Sequence, residues 1–354
     1  MKIYKSHFLL SSFYISNLLI LLGGYLSYLI LLLVPFYGIP KPKINKNVLL
    51  ALSPFILFLF MKLSIGFALS NHLLDALKAF GILLIAYCLF LNKRIKDDSI
   101  YNFLVIFSFI NIFLILLSFF DVDLFGRSRA NQVSGLFDEP SNFGLVAALT
   151  GLYFLKRGAY KYWIMNLIIV IFINSLTGLI SFFLLSLTHF LLSIKDKKSN
   201  IFLFLIFVFI IFFITFFINF TNRFSNELFI IFNNINEIDL SGRGSSSQMR
   251  IIFEFLFLNE AINNAPYLNL LFGSFDPIEY RTASLNGIVE IILRYGFIGL
   301  FLIIFALLYM LTKKIIPVEF ILCILLIVFS TGAIYKLSFI FYIFIAYKAL
   351  IFSK

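Results

Sequence analysis

Residues 201–220 read IFLFLIFVFIIFFITFFINF, twenty consecutive positions without a charged side chain. A helix of that length rises about 30 Å, the thickness of a bilayer's hydrocarbon core. Comparable runs recur along the 354 residues, of which 62% are hydrophobic and 13% charged; the mean hydropathy is +1.03. Soluble domains are nearer half apolar and a quarter charged. Composition therefore excludes a water-soluble enzyme, a disordered chain and a collagen-like fibre. A bacterial-type β-barrel is excluded as well, because its strands would alternate polar and apolar residues in short segments. The expected fold is an all-α polytopic membrane protein.

Working outward from that run, apolar stretches predict spans at 48–67, 72–91, 100–120, 140–155, 162–174, 177–194, 201–220, 286–311, 315–330 and 333–352. The stretch 8–39 is too long for one helix, and Gly23-Gly24 divides it into 8–22 and 25–39. The expectation is about 12 transmembrane helices, with 11 as the alternative. Three parts follow: an N-terminal bundle over 1–220, a large external loop over 221–283, and the last three spans over 284–354. Cys88 and Cys323 fall inside apolar runs and read as small buried hydrophobes. His7, His72 and His189 show no ligand spacing, and neither a metal nor another cofactor is expected.

Charge sets the expected orientation. Lysine and arginine gather at the cytoplasmic ends of spans. Alternate loops carry Lys41, Lys43 and Lys46; Lys93, Arg94 and Lys96; Lys156, Arg157 and Lys161; Lys195, Lys197 and Lys198; and Lys313 and Lys314. With Lys2, Lys5, Lys348 and Lys354 they put 18 of the 28 basic residues on one side. Twelve spans bring both termini to that side, so both termini are expected to be cytoplasmic. Arginine behaves differently: Arg127, Arg129, Arg223, Arg243, Arg250, Arg281 and Arg294 all fall at the opposite, outer face. Its planar fork grips phosphate or carboxylate bidentately, whereas lysine is a mobile point charge. The asymmetry directs the search for an anionic substrate to the outer face.

Two external segments are long enough to carry function, 121–139 and 221–283. The second contains a helix candidate from Ser246 to Asn264, ended by Pro266, with Leu271-Phe272-Gly273 as a following turn. The first holds Arg127 and Arg129, then Asp138-Glu139-Pro140-Ser141-Asn142. Pro140 fits the first position of a helix, with Glu139 or its neighbour as cap. Such a start presents free N–H groups to an anion. Spans seven and eight share only 162–194, barely two crossings, so their turn Asn174-Ser175-Leu176-Thr177-Gly178 is expected below the outer surface, lining a cavity.

Asn286, Glu290 and Arg294 recur at every fourth position, along one drifting helix face. Charges within a span are costly and default to a functional role; the competing reading is a self-satisfied Glu290–Arg294 pair. Asp75 with Lys78 reads as a structural pair, and Lys62 and Lys336 as snorkelling side chains. No Gly-rich phosphate loop, internal repeat or soluble nucleotide-binding domain is evident. A reaction at the outer face must then use a substrate that carries its own leaving group.

Taken in order, these external motifs resemble the Wzy-like O-antigen and capsular polysaccharide polymerases. The matching pieces are Arg129 with Gly135 to Ser141, the Asn174–Gly178 turn, Arg243 to Arg250 ahead of Pro266 and Gly273, and Asn286-Gly287 running to Gly296 and Gly299. They cover roughly the middle half of the chain. The resemblance implies a metal-independent glycosyltransferase of GT-C-like architecture. It would join oligosaccharide repeat units carried on undecaprenyl pyrophosphate into O-antigen, capsule or exopolysaccharide. The acceptor hydroxyl needs a weak base, for which Glu139 comes first and Glu290 second. Arg127, Arg129, Arg243, Arg250, Arg281 and Arg294 would hold the pyrophosphate, with Asn286, Ser141, Asn174 and Thr177 as further substrate contacts.

The related O-antigen ligases usually show a histidine just before this late asparagine. Here the run is Ser284-Leu285-Asn286, which favours polymerase over ligase. A lipid-linked oligosaccharide flippase or other transporter is the alternative of another class, and a structural partner in an assembly complex is the third. The expected partners are the lipid-linked oligosaccharide, membrane lipids, a chain-length regulator and a flippase; no nucleic acid is expected.

Overall fold

A computed structural model describes residues 46–64, 97–118, 120, 140–173, 175–193, 267–273, 287–330 and 337–351. The described residues are helical, without strands. In chain order the helices are α1 (Lys46–Ser64), α2 (Asp97–Ser118), α3 (Pro140–Lys156), α4 (Tyr160–Ile173), α5 (Leu176–Ser193), α6 (Tyr267–Phe272), α7 (Gly287–Thr312), α8 (Val318–Ser330) and α9 (Leu337–Ile351). Eight of them overlie predicted spans. The predicted spans 8–22, 25–39, 72–91 and 201–220, the Asp75–Lys78 pair and the 246–264 helix lie outside the described residues. Among the described residues, two segments, Asp97–Ser118 and Arg294–Thr312, are long and apolar enough to cross a membrane.

The centre of the bundle is α3, in which every residue from Ser141 to Leu155 is buried. Its small side chains explain how it is surrounded so closely. Gly144 lies against Gly178 of α5, and Gly151 leaves the hollow that the Phe182 ring fills. Close approach through small residues is how helices associate when lipid removes the hydrophobic drive between them. Around α3 pack α4, α5, α8 and α9, while α2 leans on α4. Aromatic contacts tie the layers: Tyr101, Phe154 and Tyr162 form a mutually packed trio with centroids 5.1–5.9 Å apart. Trp163 stacks on Phe182 at 5.7 Å.

Polar groups inside this core bond to one another. Asn166 donates to the Tyr162 carbonyl and to Ser108 Oγ, which itself donates to the Leu104 carbonyl at 2.8 Å. Trp163 Nε1 donates to Ser186 Oγ at 3.1 Å. In α1, Pro54 cannot donate to the Leu50 carbonyl, and Ser53 Oγ supplies that bond at 3.0 Å. Cys323 is buried and free, as its apolar context predicts.

The long helices keep apolar rows uncovered by other described residues. Phe109, Ile110, Phe113 and Leu116 are exposed on α2, and Phe297, Phe301, Ile304, Phe305 and Leu308 on α7. Both rows follow helical spacing and form one face each. A continuous apolar face of this kind is unfavourable in water and natural in lipid.

One end of the bundle is ionic. Arg157, just past α3, grips Asp97 at the start of α2 through Nε and Nη2, with contacts of 2.5–3.1 Å. Its guanidinium lies 3.6 Å from the centre of the Tyr153 ring. Beside it, Lys156 Nζ meets Glu319 Oε1 of α8 at 2.6 Å, with only 17% and 10% of the two side chains exposed. Glu319→Ala would leave the Lys156 ammonium buried and uncompensated, a loss of about 3 kcal/mol. The expected result is a lower thermal midpoint for detergent-extracted protein, read from Trp163, the sole tryptophan of the chain. The double variant Lys156→Met, Glu319→Leu recovers most of that loss.

Candidate functional site

The ion pairs also give the helices their directions. The end of α3 meets the starts of α2 and α8, so the starts of α3, α5 and α7 lie at the opposite end of the bundle, those of α3 and α5 side by side. There two corners are built, one around α3 and α5, the other around α1, α6 and α7.

In the first corner α3 begins at Pro140, as its sequence predicts: proline pre-sets φ and its missing N–H is not needed in a first turn. Ser141 and Asn142 are both buried immediately behind it. Alongside, α5 begins at Leu176 and is capped by Ser175, whose carbonyl accepts from Leu179 N at 3.0 Å and whose Oγ accepts from Gly178 N at 3.4 Å. A Cβ on Gly144 would stand 2.7 Å from Gly178 Cα. Two parallel helices therefore open side by side. Their first turns bring the positive ends of two helix dipoles to one place. The short turn ahead of α5 in the sequence is thus the beginning of this helix, held against the first turns of α3.

The second corner centres on a break in α7. Gly296 has φ 65° and ψ −176°, which interrupts the helix two residues after Arg294. A side chain there would strike the Leu271 carbonyl and the Gly273 amide. The reciprocal contact comes from Gly273, whose own positive φ closes α6, its N–H donating to the Asn269 carbonyl at 2.7 Å. This corrects the reading of Leu271-Phe272-Gly273 as a turn: Leu271 and Phe272 end a short helix, and Gly273 is its cap. From α1, Phe58 stacks on Phe272 with centroids 6.1 Å apart, and Phe55 meets Tyr295 edge-on at 5.5 Å.

Lys62 completes the corner and departs from expectation. It is 6% exposed and does not reach for the surface; its ammonium donates to the main-chain carbonyl of Arg294. The Tyr295 ring lies 5.7 Å from the same nitrogen. The ammonium thus meets a main-chain carbonyl two residues before the break in α7.

Of the predicted site residues, Ser141, Thr177 and Arg294 are described with their side chains, and all three lie at this one end. Ser141 is buried, Thr177 and Arg294 half-buried. Glu290 sits in the first part of α7, one turn before Arg294 and ahead of the break; its side chain is not described. Arg127, Arg129, Glu139, Asn174, Arg243, Arg250, Arg281 and Asn286 lie outside the described residues. Sequence reasoning missed Lys62 and the Gly296 break as parts of the corner. A charge near the end of a span and a glycine inside one were the available signals. The chain matches no known protein family, no curated protein and no solved structure.

Proposed function

We propose that this chain is a membrane-embedded glycosyltransferase that polymerises oligosaccharide repeat units carried on undecaprenyl pyrophosphate, at the outer face of a bacterial cytoplasmic membrane. The observation that supports the reading is that Ser141, Thr177 and Arg294 all fall at the end of the bundle away from Lys156, Arg157 and Glu319. These residues come from three of the motifs that resemble the polymerases and are up to 153 positions apart in sequence. Helix α4, with 14 residues, is about 21 Å long and too short for a full crossing, which supports a recessed polar floor at that end.

In this reading an acceptor hydroxyl attacks the anomeric carbon of the donor repeat unit. The new glycosidic bond forms as the bond from that carbon to the pyrophosphate oxygen breaks, and the hydroxyl proton passes to Glu139. Undecaprenyl pyrophosphate leaves with the bonding electron pair. Arginines placed in advance around the leaving group stabilise its charge without reorganisation.

The break in α7 is a feature that a transporter would also show, since many transporters bind substrate at discontinuous helices near the bilayer midplane. Its depth favours the transferase. Arg294–Thr312 contains 19 residues, about 28 Å, and the break lies two residues inside its start, which supports a position near the membrane boundary. The test is the polysaccharide ladder of cells carrying Arg129→Ala, Arg250→Ala or Glu139→Gln. The expected result is loss of long chains, by about 100-fold or more, with normal membrane insertion. Wild-type ladders in all three remove the proposed site, and repeat units stranded on the cytoplasmic leaflet in a deletion strain point to a flippase.

A further inference from the structure

The described residues place a buried ammonium at the broken helix and bond it to the main chain of an arginine. In an unbroken helix the Arg294 carbonyl would accept from the amide four residues on. Gly296, with φ 65° and ψ −176°, breaks the helix two residues further on, and Lys62 from α1 donates to Arg294 O. Three contacts keep Lys62 at this station: Phe58 on Phe272, Phe55 on Tyr295, and the Gly273 backbone against Arg294 to Gly296. The peptide following Arg294 is consequently held from two sides, by an ammonium and by the end of α6. The direction of the Arg294 side chain depends on that peptide's orientation.

We propose that Lys62 is a positioning residue for Arg294: by bonding the carbonyl at the α7 break it fixes the direction in which the guanidinium is presented at this end of the bundle. The consequence for catalysis rests on the proposed function, in which Arg294 holds the diphosphate; the positioning itself does not. Methionine fills the same volume but cannot donate. Arginine keeps a charged donor on a stem long enough to reach, and glutamine keeps an uncharged N–H on a shorter one.

The experiment uses the full chain with Cys88→Ser and Cys323→Ala, and Arg294→Cys as reporter; the backbone carbonyl at 294 remains in place. Membranes are treated with an uncharged maleimide and, separately, with an anionic methanethiosulfonate. Lys62→Met is expected to change the rate with the uncharged reagent about fivefold or more, with Lys62→Arg within about twofold of the parent. A change confined to the anionic reagent would report the lost charge alone and overturn the proposal. So would unchanged rates in Lys62→Met; should that variant not reach the membrane, Lys62→Leu, which likewise cannot donate, gives the same decision. With Arg294 and both cysteines restored, Lys62→Met is expected to lower polymer formation about tenfold and Lys62→Arg to restore it. Altered reactivity at position 294 with a normal ladder supports the positioning and withdraws Arg294 from the proposed catalytic site.

Discussion

Gly296→Val is expected to abolish product and to leave little extractable folded protein. Two independent penalties meet at this position. A β-branched residue at φ 65° is strained by about 1–3 kcal/mol. Its Cβ would also meet the Leu271 carbonyl and the Gly273 amide, which are backbone atoms and cannot rotate away. Relief requires α6 to leave α7, which exposes the Phe58–Phe272 stack and detaches Lys62 from Arg294. The measurement is the monodisperse fraction after detergent extraction, together with the thermal midpoint read from Trp163. A stable, monodisperse Gly296→Val protein would show that α7 is not broken at this glycine. Gly296→Ala carries the same φ and nearly the same clash, so it should fail almost as severely; a substitution in the uncovered row, such as Phe301→Leu, should be close to neutral.

Gly144→Val is the second large effect. Gly144 and Gly178 bring α3 and α5 so close that one added carbon would stand 2.7 Å from the facing Cα. The helices must separate by more than an ångström. That loosens Ser175 and the start of α5 on one side and the Gly151–Phe182 fit further along. Overpacking of a buried contact typically destabilises by about 1–3 kcal/mol, and contact with backbone belongs at the upper end. Loss of product is expected to exceed the loss of folded protein, because the two helix starts with Ser141 and Thr177 move before the rest of the core does. A ladder reduced only in proportion to the folded fraction would mean that this corner supports the fold alone. Gly158, with open space around it and φ 66°, is the contrast: Gly158→Ala should be strained but not blocked.

Much of the helical arrangement was legible from local sequence. The start of α3 at Pro140 agrees with prediction, and the bounds of α4, α5 and α9 fall within a few residues of theirs. Apolar length and proline placement are local properties that no neighbour overrides. The site was less legible. Lys62 reads as a side chain reaching for the interface because a charge near the end of a span has two stable outcomes, water or a main-chain carbonyl. Only the presence of the α7 break selects the second. Gly296 stands in a glycine-bearing motif, but glycine permits helix, kink or turn with nearly equal ease, so the motif alone does not choose among them. The Leu271-Phe272-Gly273 segment was read as a turn because six residues are too few to show helical periodicity.

The sequence by itself determined that the chain is built of apolar helices, but nothing in it singled out Asp97 and Glu319, the carboxylates that meet Arg157 and Lys156. The apolar helices follow from composition and from the 1.5 Å rise, which act residue by residue. Tertiary structure decided that α3 and α5 lie together, that α7 breaks at Gly296, and that Lys62 turns inward to Arg294. Each of those choices is made by atoms from distant parts of the chain: Gly178 against Gly144, Leu271 and Gly273 against Gly296. A helix tolerates either outcome until its neighbour arrives, and the close contact of two backbones then permits only one.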